Sequence, residues 1–148
     1  DIANEYKNND KFQKIIMGKG KIIKNGKKIA FLNLGTRLKK ISEITELIKK
    51  NYKLNCSIID MRFAKPIDTK LIQKLTKNHD IFVTIEENAI GGFSSQVNDF
   101  LINKLSKTPK ILNFFMKDEF IDQSDIEDQY SKSGISPRII YEKLIKVL

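Results

Sequence analysis

Apolar and polar residues fall along this chain in blocks that predict strands and helices in turn. Four short runs are almost wholly apolar, as in strands covered on both faces, and they span residues 29–34, 56–60, 81–85 and 111–116. Between these runs, apolar residues recur at three- and four-residue spacing, which predicts helices over residues 38–52, 68–78 and 93–105. Strands that alternate with helices predict βα units around a mainly parallel sheet.

The N-terminal stretch does not follow this alternation. Residues 1–17 are rich in Asn and Lys and predict a linker. Two apolar patches, at residues 15–17 and 22–23, flank Gly18-Lys19-Gly20 and predict a short hairpin. Asn25-Gly26 then predicts a turn into the next strand, because both residue types tolerate positive φ.

The C-terminal stretch predicts an acidic loop and two further helices. The loop covers residues 118–121, and the short helix after it should end at Gly134. Ser136-Pro137 predicts the start of the last helix, since Pro at the first helical position loses no hydrogen bond. We therefore expect an α/β three-layer sandwich over residues 18–148, with a mainly parallel sheet of about five strands and helices on both faces.

Length and composition agree with one folded domain. The 148 residues are 41% apolar and 30% charged, which is a globular balance. Cys56 is the single cysteine, so no internal disulfide can form, and a reduced compartment is expected. No apolar run reaches eighteen residues and no signal-peptide pattern occurs, so we expect a soluble chain without a membrane partner.

The net charge of +9 raises the question of nucleic-acid binding. The chain has 27 basic residues, but only Arg37, Arg62 and Arg138 are arginines. Arginine is the residue type that recognises bases and phosphates through two parallel hydrogen bonds. The lysines are scattered along the chain and no aromatic residues interleave with them to stack bases. We expect no nucleic-acid partner, and the excess of Lys, Ile and Asn indicates an AT-rich genome.

The loops that leave the carboxyl ends of parallel strands are where ligands usually bind in such folds. We call this end of the sheet the carboxyl edge. It should bring together Gly35-Thr36, residues 61–66, residues 86–92 and Lys117-Asp118. This edge is the one candidate site that the pattern offers.

Arg62 could hold a substrate phosphate at this edge, or it could pair with a carboxylate such as Asp60, Glu86, Glu87 or one from a neighbouring domain. Pro66 has a structural role, because it disfavours helix at Lys65 and delays the second helix to Asp68. Asp68 should then cap that helix by accepting its free N–H groups.

Glu86 and Glu87 invite comparison with paired catalytic carboxylates. Adjacent strand residues point to opposite faces, so the two cannot flank one bond while the strand continues. One should pair with Arg62 or accept loop N–H groups, and the other should face solvent or a partner. Gly91-Gly92 could cradle a phosphate at a helix N terminus, or it could serve close packing of strand and helix, and its spacing matches no nucleotide-binding motif.

His79 and Cys56 have structural explanations. His79 should lie at the end of the second helix, where a cationic ring gains from the helix dipole. It has no partner for catalysis and no second His for a metal. Cys56 begins a buried strand and should behave as a small apolar residue. From the residues alone, no complete catalytic or metal site emerges.

Four motifs at this edge, taken together, carry a family resemblance. They are Gly18-Lys19-Gly20, Gly35-Thr36, residues 60–68 (DMRFAKPID) and residues 83–93 (VTIEENAIGGF). From about Met17 to Leu148 the chain closely resembles the C-terminal domain of the 1-deoxy-D-xylulose 5-phosphate synthases, which has the transketolase C-terminal fold. Residues 118–121 also resemble the acidic-aromatic turn of that family, although Met116-Lys117 stands where the family usually has Leu-Pro.

The resemblance implies a thiamine diphosphate- and Mg2+-dependent transferase that condenses pyruvate with glyceraldehyde 3-phosphate, releases CO2 and begins isoprenoid precursor synthesis. It implies catalytic and cofactor-binding residues in preceding domains, none of them in residues 1–148, so neither coenzyme nor metal is expected on this chain alone. It also implies a homodimer. Residues 1–17 would link to the preceding domain, against which the carboxyl edge would dock. The interface or structural candidates are Arg62, Pro66, Asp68, Glu86, Glu87, Gly91 and Gly92.

Two alternatives stay open at this point. One is the C-terminal domain of a 2-oxo-acid dehydrogenase beta subunit or of a transketolase. The other is a free-standing basic α/β binding module. The AT-rich bias suits either a plastid-like organelle of a parasite or the cytoplasm of a reduced bacterium.

Overall fold

The computed structural model describes residues 14–148. Its five strands are β1 (Lys21–Lys24), β2 (Lys28–Leu34), β3 (Ser57–Asp60), β4 (His79–Glu86) and β5 (Lys110–Phe114). The helices of this part of the chain are α1 (Leu38–Tyr52), α2 (Thr69–Leu75), α3 (Phe93–Lys104), α4 (Ile126–Ser133) and α5 (Pro137–Ile145). The predicted alternation of strands and helices is confirmed.

The strands form one sheet in the order β1-β3-β2-β4-β5. Strands β3, β2, β4 and β5 are parallel, and β1 adds to β3 in the antiparallel direction. Helices α1 and α5 pack on one face through Ile41, Ile48 and Leu144. Helices α2 and α3 cover the other face through residues that include Ile72 and Val97. The predicted three-layer α/β sandwich is therefore confirmed.

The predicted N-terminal hairpin is wrong. Residues 14–16 are not in a strand, and Met17 and Gly18 form a turn. Of the two hairpin strands that the pattern predicts, the structure has only the second, β1. Gly18 lies against Pro66, and Gly20 donates its N–H to the Asp68 carboxylate at 3.3 Å, so this segment follows the loop between β3 and α2. Contacts with residues almost fifty positions away thus outweigh the local hairpin pattern. Residues 1–13 of the predicted linker lie outside the described residues.

The chain does reverse direction between β1 and β2, but it bends at Lys27 and not at the predicted Asn25-Gly26 turn. Neither residue has positive φ; instead Lys28 does, at 71°. A Cβ on Gly26 would collide with the backbone of Asn55 and Cys56. Gly26 is required by this close approach of two loops, not by its backbone angles.

The prediction that His79 lies at the end of the second helix is wrong, because His79 is the first residue of β4. Helix α2 already ends at Leu75. The buried ring nevertheless donates from Nδ1 to the Leu75 carbonyl at 2.8 Å, and this carbonyl at the end of α2 also accepts the Asn78 N–H at 3.1 Å. Its Nε2 lies 2.9 Å from the Ser57 hydroxyl, which accepts the Gly26 N–H. His79 therefore ties β3, β4 and the β1–β2 loop together.

Candidate functional site

The parallel register brings the predicted loops to one end of the sheet. Asn33 of β2 pairs with Asp60 of β3 and Ile85 of β4, and Ile85 pairs with Phe114 of β5. The loops that follow these residues therefore emerge side by side. Strand β1 runs the opposite way, so the chain before it, at residues 14–20, also lies at the carboxyl edge.

Glu86 is the buried centre of this edge. Its side chain is 1% exposed at the end of β4 and points toward α3. Its two carboxylate oxygens accept hydrogen bonds from the Phe93 N–H at 2.7 Å, the Ser94 N–H at 2.8 Å and the Ser94 hydroxyl at 2.6 Å. The carboxylate thus satisfies free donors at the N terminus of α3, where the helix dipole also favours a negative charge.

The two glycines before α3 serve this arrangement. A Cβ on Gly92 would collide with the Glu86 carboxylate, whereas Gly91 has open space around it and adopts a φ of 101°. Gly92 therefore lets the carboxylate reach the helix N terminus. Because Glu86 already binds those N–H groups, a phosphate has no cradle there. Close packing against Glu86 explains Gly92, and the left-handed backbone angle explains Gly91.

Glu87 points the other way, as adjacent positions on a strand predict. Its Oε1 accepts the Thr36 hydroxyl at 2.6 Å and the Tyr130 hydroxyl at 2.9 Å. This carboxylate joins the ends of β2 and β4 to helix α4. Glu87 is half-buried, so it partly faces solvent as expected, and it is in addition bonded within the domain.

Arg62 pairs with Asp60, one of the carboxylates that sequence reasoning considered. Its Nε lies 3.5 Å from the Asp60 carboxylate, and its backbone N–H donates to the same group at 3.2 Å. Arg62 has a left-handed φ of 61°, and about a quarter of its side chain is exposed. The arginine is thus oriented by Asp60, and its side chain remains partly exposed at the surface.

Asp68 caps α2 as predicted. It accepts the Leu71 N–H at 3.1 Å and the Gly20 N–H at 3.3 Å, and its Oδ1 lies 3.4 Å from the Lys19 ammonium. The cis Lys65-Pro66 peptide precedes it, and the Pro66 ring contacts Gly18. These residues hold the incoming chain against the end of β3.

Arg37 is the residue that sequence reasoning missed. It is 5% exposed at the start of α1, and its guanidinium lies 3.6 Å from the centroid of the Tyr130 ring. Its Nη2 is 3.9 Å from the Glu127 carboxylate and makes no hydrogen bond within the described part of the chain. Arg62 stood out in the sequence because arginine is scarce in this chain. The same argument applies to Arg37, which directly follows the Gly35-Thr36 motif.

The chemistry of the edge is structural. Glu86, Glu87 and Asp68 all accept hydrogen bonds from donors within the domain. Among residues 14–148, no group of three or more His, Cys, Asp or Glu side chains is arranged to hold a metal ion. Burial raises the pKa of the Cys56 thiol to about 11, which leaves it protonated at neutral pH.

A long apolar helix of the kind that crosses a bilayer does not occur between residues 14 and 148.

Comparison with known protein families gives one match over most of the chain. The family described as transketolase, C-terminal domain, matches residues 18–140. The 1-deoxy-D-xylulose-5-phosphate synthase of Blochmanniella floridana is 39% identical over 147 residues, which are 99% of this chain and 23% of that protein. The synthase of Haemophilus influenzae strain PittGG is 36% identical over 132 residues, 89% of this chain and 20% of that protein. The chain thus spans about a fifth of the length of the curated relatives it matches.

Solved structures give the same fold. A split-gene transketolase, described as an inactive beta4 tetramer, superposes with a TM-score of 0.81 at 25% identity, covering 90% of this chain and 43% of that one. The transketolase of Campylobacter jejuni superposes with a TM-score of 0.60 at 15% identity, covering 93% of this chain and 20% of that one. The second similarity concerns the fold alone.

Proposed function

This chain belongs to the transketolase C-terminal domain family, and we propose that it is the C-terminal domain of a 1-deoxy-D-xylulose 5-phosphate synthase. Identity of 36–39% to two curated synthases supports this assignment over a transketolase or a 2-oxo-acid dehydrogenase beta subunit. It also disfavours a free-standing module, since the match covers nearly all of the chain and only about a fifth of each relative.

The complete enzyme would condense pyruvate with glyceraldehyde 3-phosphate and release CO2. Thiamine diphosphate and Mg2+ would be held by the preceding domains, and this chain alone would be inactive. Both curated relatives are bacterial, which favours the bacterial cytoplasm over the plastid-like organelle of a parasite.

Within that enzyme, we assign the chain an assembly role. The observation that supports this role is that the motif carboxylates accept hydrogen bonds from within the domain. Glu86 binds the start of α3, and Asp68 binds the start of α2. The motifs thereby fix the shape of the carboxyl edge. Glu86 supports the edge from inside, whereas the partly exposed Arg62 reaches its surface. We propose that this edge docks on the preceding domain and supports the homodimer.

The test of the assignment is an activity assay of the full-length protein beside the 148-residue chain. With pyruvate, glyceraldehyde 3-phosphate, thiamine diphosphate and Mg2+, the full-length protein should form deoxyxylulose 5-phosphate and CO2, and the short chain should form neither. Turnover by the short chain would overturn the assembly role. Turnover of other substrates only would overturn the synthase assignment.

Arg62→Ala in the full-length enzyme tests the role of the edge. Removing the cation leaves Asp60 without its partner at the surface of the edge, so dimer dissociation should increase while KM for both substrates stays within about twofold. Sedimentation and steady-state kinetics measure the two quantities. Arg138→Ala is the matched control, because Arg138 is an exposed arginine on α5 that pairs with Glu142. A selective rise in the KM for glyceraldehyde 3-phosphate would instead indicate phosphate binding by Arg62.

A further inference from the structure

The carboxyl edge exposes apolar side chains at both of its lateral ends. At the β1 end, Ile15, Ile16 and Met17 are all at least 60% exposed. At the β5 end, Phe120 is fully exposed, and Ile126 at the start of α4 is 67% exposed. Large apolar side chains grouped in this way mark surfaces that a partner covers.

A groove lies beside Phe120. It has a volume of about 560 Å³, and its walls are residues 87–89 and residues 116–121. Phe120 is on its rim and, being fully exposed, contributes little to the folding of this chain. An aromatic side chain placed in this way fits the role of an anchor, since aromatic anchors carry much of the energy of docking.

The segment around Phe120 also differs in charge from the rest of the chain. Residues 118–128, which we call the acidic turn, contain six carboxylates and no Lys or Arg, although the chain as a whole carries a net charge of +9. Asp125 and Glu127 have internal roles, in capping α4 and in pairing with Lys40. Asp118 and Asp122 are exposed near Phe120. The surface that fits this turn is therefore apolar at its centre and basic around it.

The remainder of the same polypeptide is the occupant that fits best. The chain enters this domain at the carboxyl edge, where Gly18 contacts Pro66 and Lys19 lies against Asp68. Four strand spacings separate β1 from β5, so a partner that covers both ends spans roughly 19 Å, which is the scale of a domain and not of a peptide. The curated relatives carry about four-fifths of their length outside this region. A symmetric contact between two copies of the acidic turn would oppose like charges.

We propose that the acidic turn anchors this domain to the preceding domain of its own polypeptide, with Phe120 seated in an apolar socket rimmed by Lys or Arg. This inference rests on the proposed function, because it requires a longer enzyme. It adds the chemistry of the partner surface and the residue that is buried there.

Scanning calorimetry of the full-length protein tests the anchor. Phe120→Ser should lower the unfolding transition of this domain by roughly 5 °C or separate it from that of the preceding domain. Ile102→Ser is the matched control, because Ile102 is 67% exposed on α3, away from the groove, and should leave the transition unchanged. Equal transitions for the two variants would overturn the proposal.

A charge reversal tests the basic rim. Asp118→Lys should weaken docking in low salt, and 0.5 M NaCl should reduce the difference from the wild type, because the screening length falls to roughly 4 Å. Asp99→Lys on α3 is the control and should have no such salt-dependent effect. If Phe120→Ser leaves the calorimetric transition unchanged and only dissociates dimers in sedimentation, the occupant is a second copy and the proposal fails.

If the wild-type full-length protein forms no deoxyxylulose 5-phosphate, the proposed function is wrong, while the comparison of Phe120→Ser with Ile102→Ser still reports on docking. If the product forms and the two variants behave alike, only the anchor is wrong.

Discussion

Glu86 and Glu87 are neighbours in sequence with separate tasks in the structure. The alternation of side chains along a strand predicted that they diverge, and they do: Glu86 reaches α3, and Glu87 reaches Thr36 and Tyr130. The sequence could not tell which one is buried. That depends on how closely α3 approaches the end of β4, which Gly92 permits.

Glu86→Gln should destabilise the folded chain by about 2–3 kcal/mol. The amide supplies one acceptor oxygen, but its NH2 group then faces a backbone N–H or the Ser94 hydroxyl inside the domain. Urea unfolding followed by circular dichroism measures the loss. Glu43→Gln, an exposed change on α1, should cost less than about 0.5 kcal/mol. Equal midpoints for the two variants would show that the Glu86 carboxylate does not stabilise α3.

At the scale of whole elements, the strands and helices followed from their apolar periodicity, but some contacts between them did not. The N-terminal hairpin failed because β1 pairs with β3, more than thirty residues away, and not with a neighbouring segment. The packing of Arg37 on Tyr130 likewise joins the start of α1 to α4, 93 positions further along. No local pattern encodes such pairs, whereas caps such as Asp68 and Gly134 are local and were predicted.

Tyr130 should hold α4 in place through two separable contacts. Tyr130→Phe removes the hydrogen bond to Glu87 and should cost about 1 kcal/mol, while the ring remains beside Arg37. Tyr130→Leu also removes the ring and should cost roughly 1–2 kcal/mol more. Urea unfolding measures both losses, and Tyr52→Phe, at the exposed end of α1, is the control. A neutral Tyr130→Phe would mean that the Glu87 bond adds no net stability.

For the whole molecule, the sequence predicted the layer arrangement and the edge where the motifs meet, because βα alternation determines both. The expectation that this edge docks on a preceding domain came from the family resemblance, and the pattern of residues alone left a phosphate site open as well. The Gly91-Gly92 pair is consistent in sequence with a phosphate site, and only the position of the Glu86 carboxylate at the helix N terminus decides against it. The acidic turn and the exposed apolar residues near it are the observations on which we base the proposal that another domain docks on this edge.

Hydrogen exchange measured on the 148-residue chain and on the same residues within the full-length protein tests this central claim most directly. We expect amides in residues 14–20, 88–92 and 117–126 to exchange at least about tenfold more slowly in the full-length protein. Amides at the opposite end of the sheet, in residues 25–28 and 53–56, should exchange at unchanged rates. Equal exchange at the carboxyl edge in the two proteins, or slowing confined to the opposite end, would contradict the account.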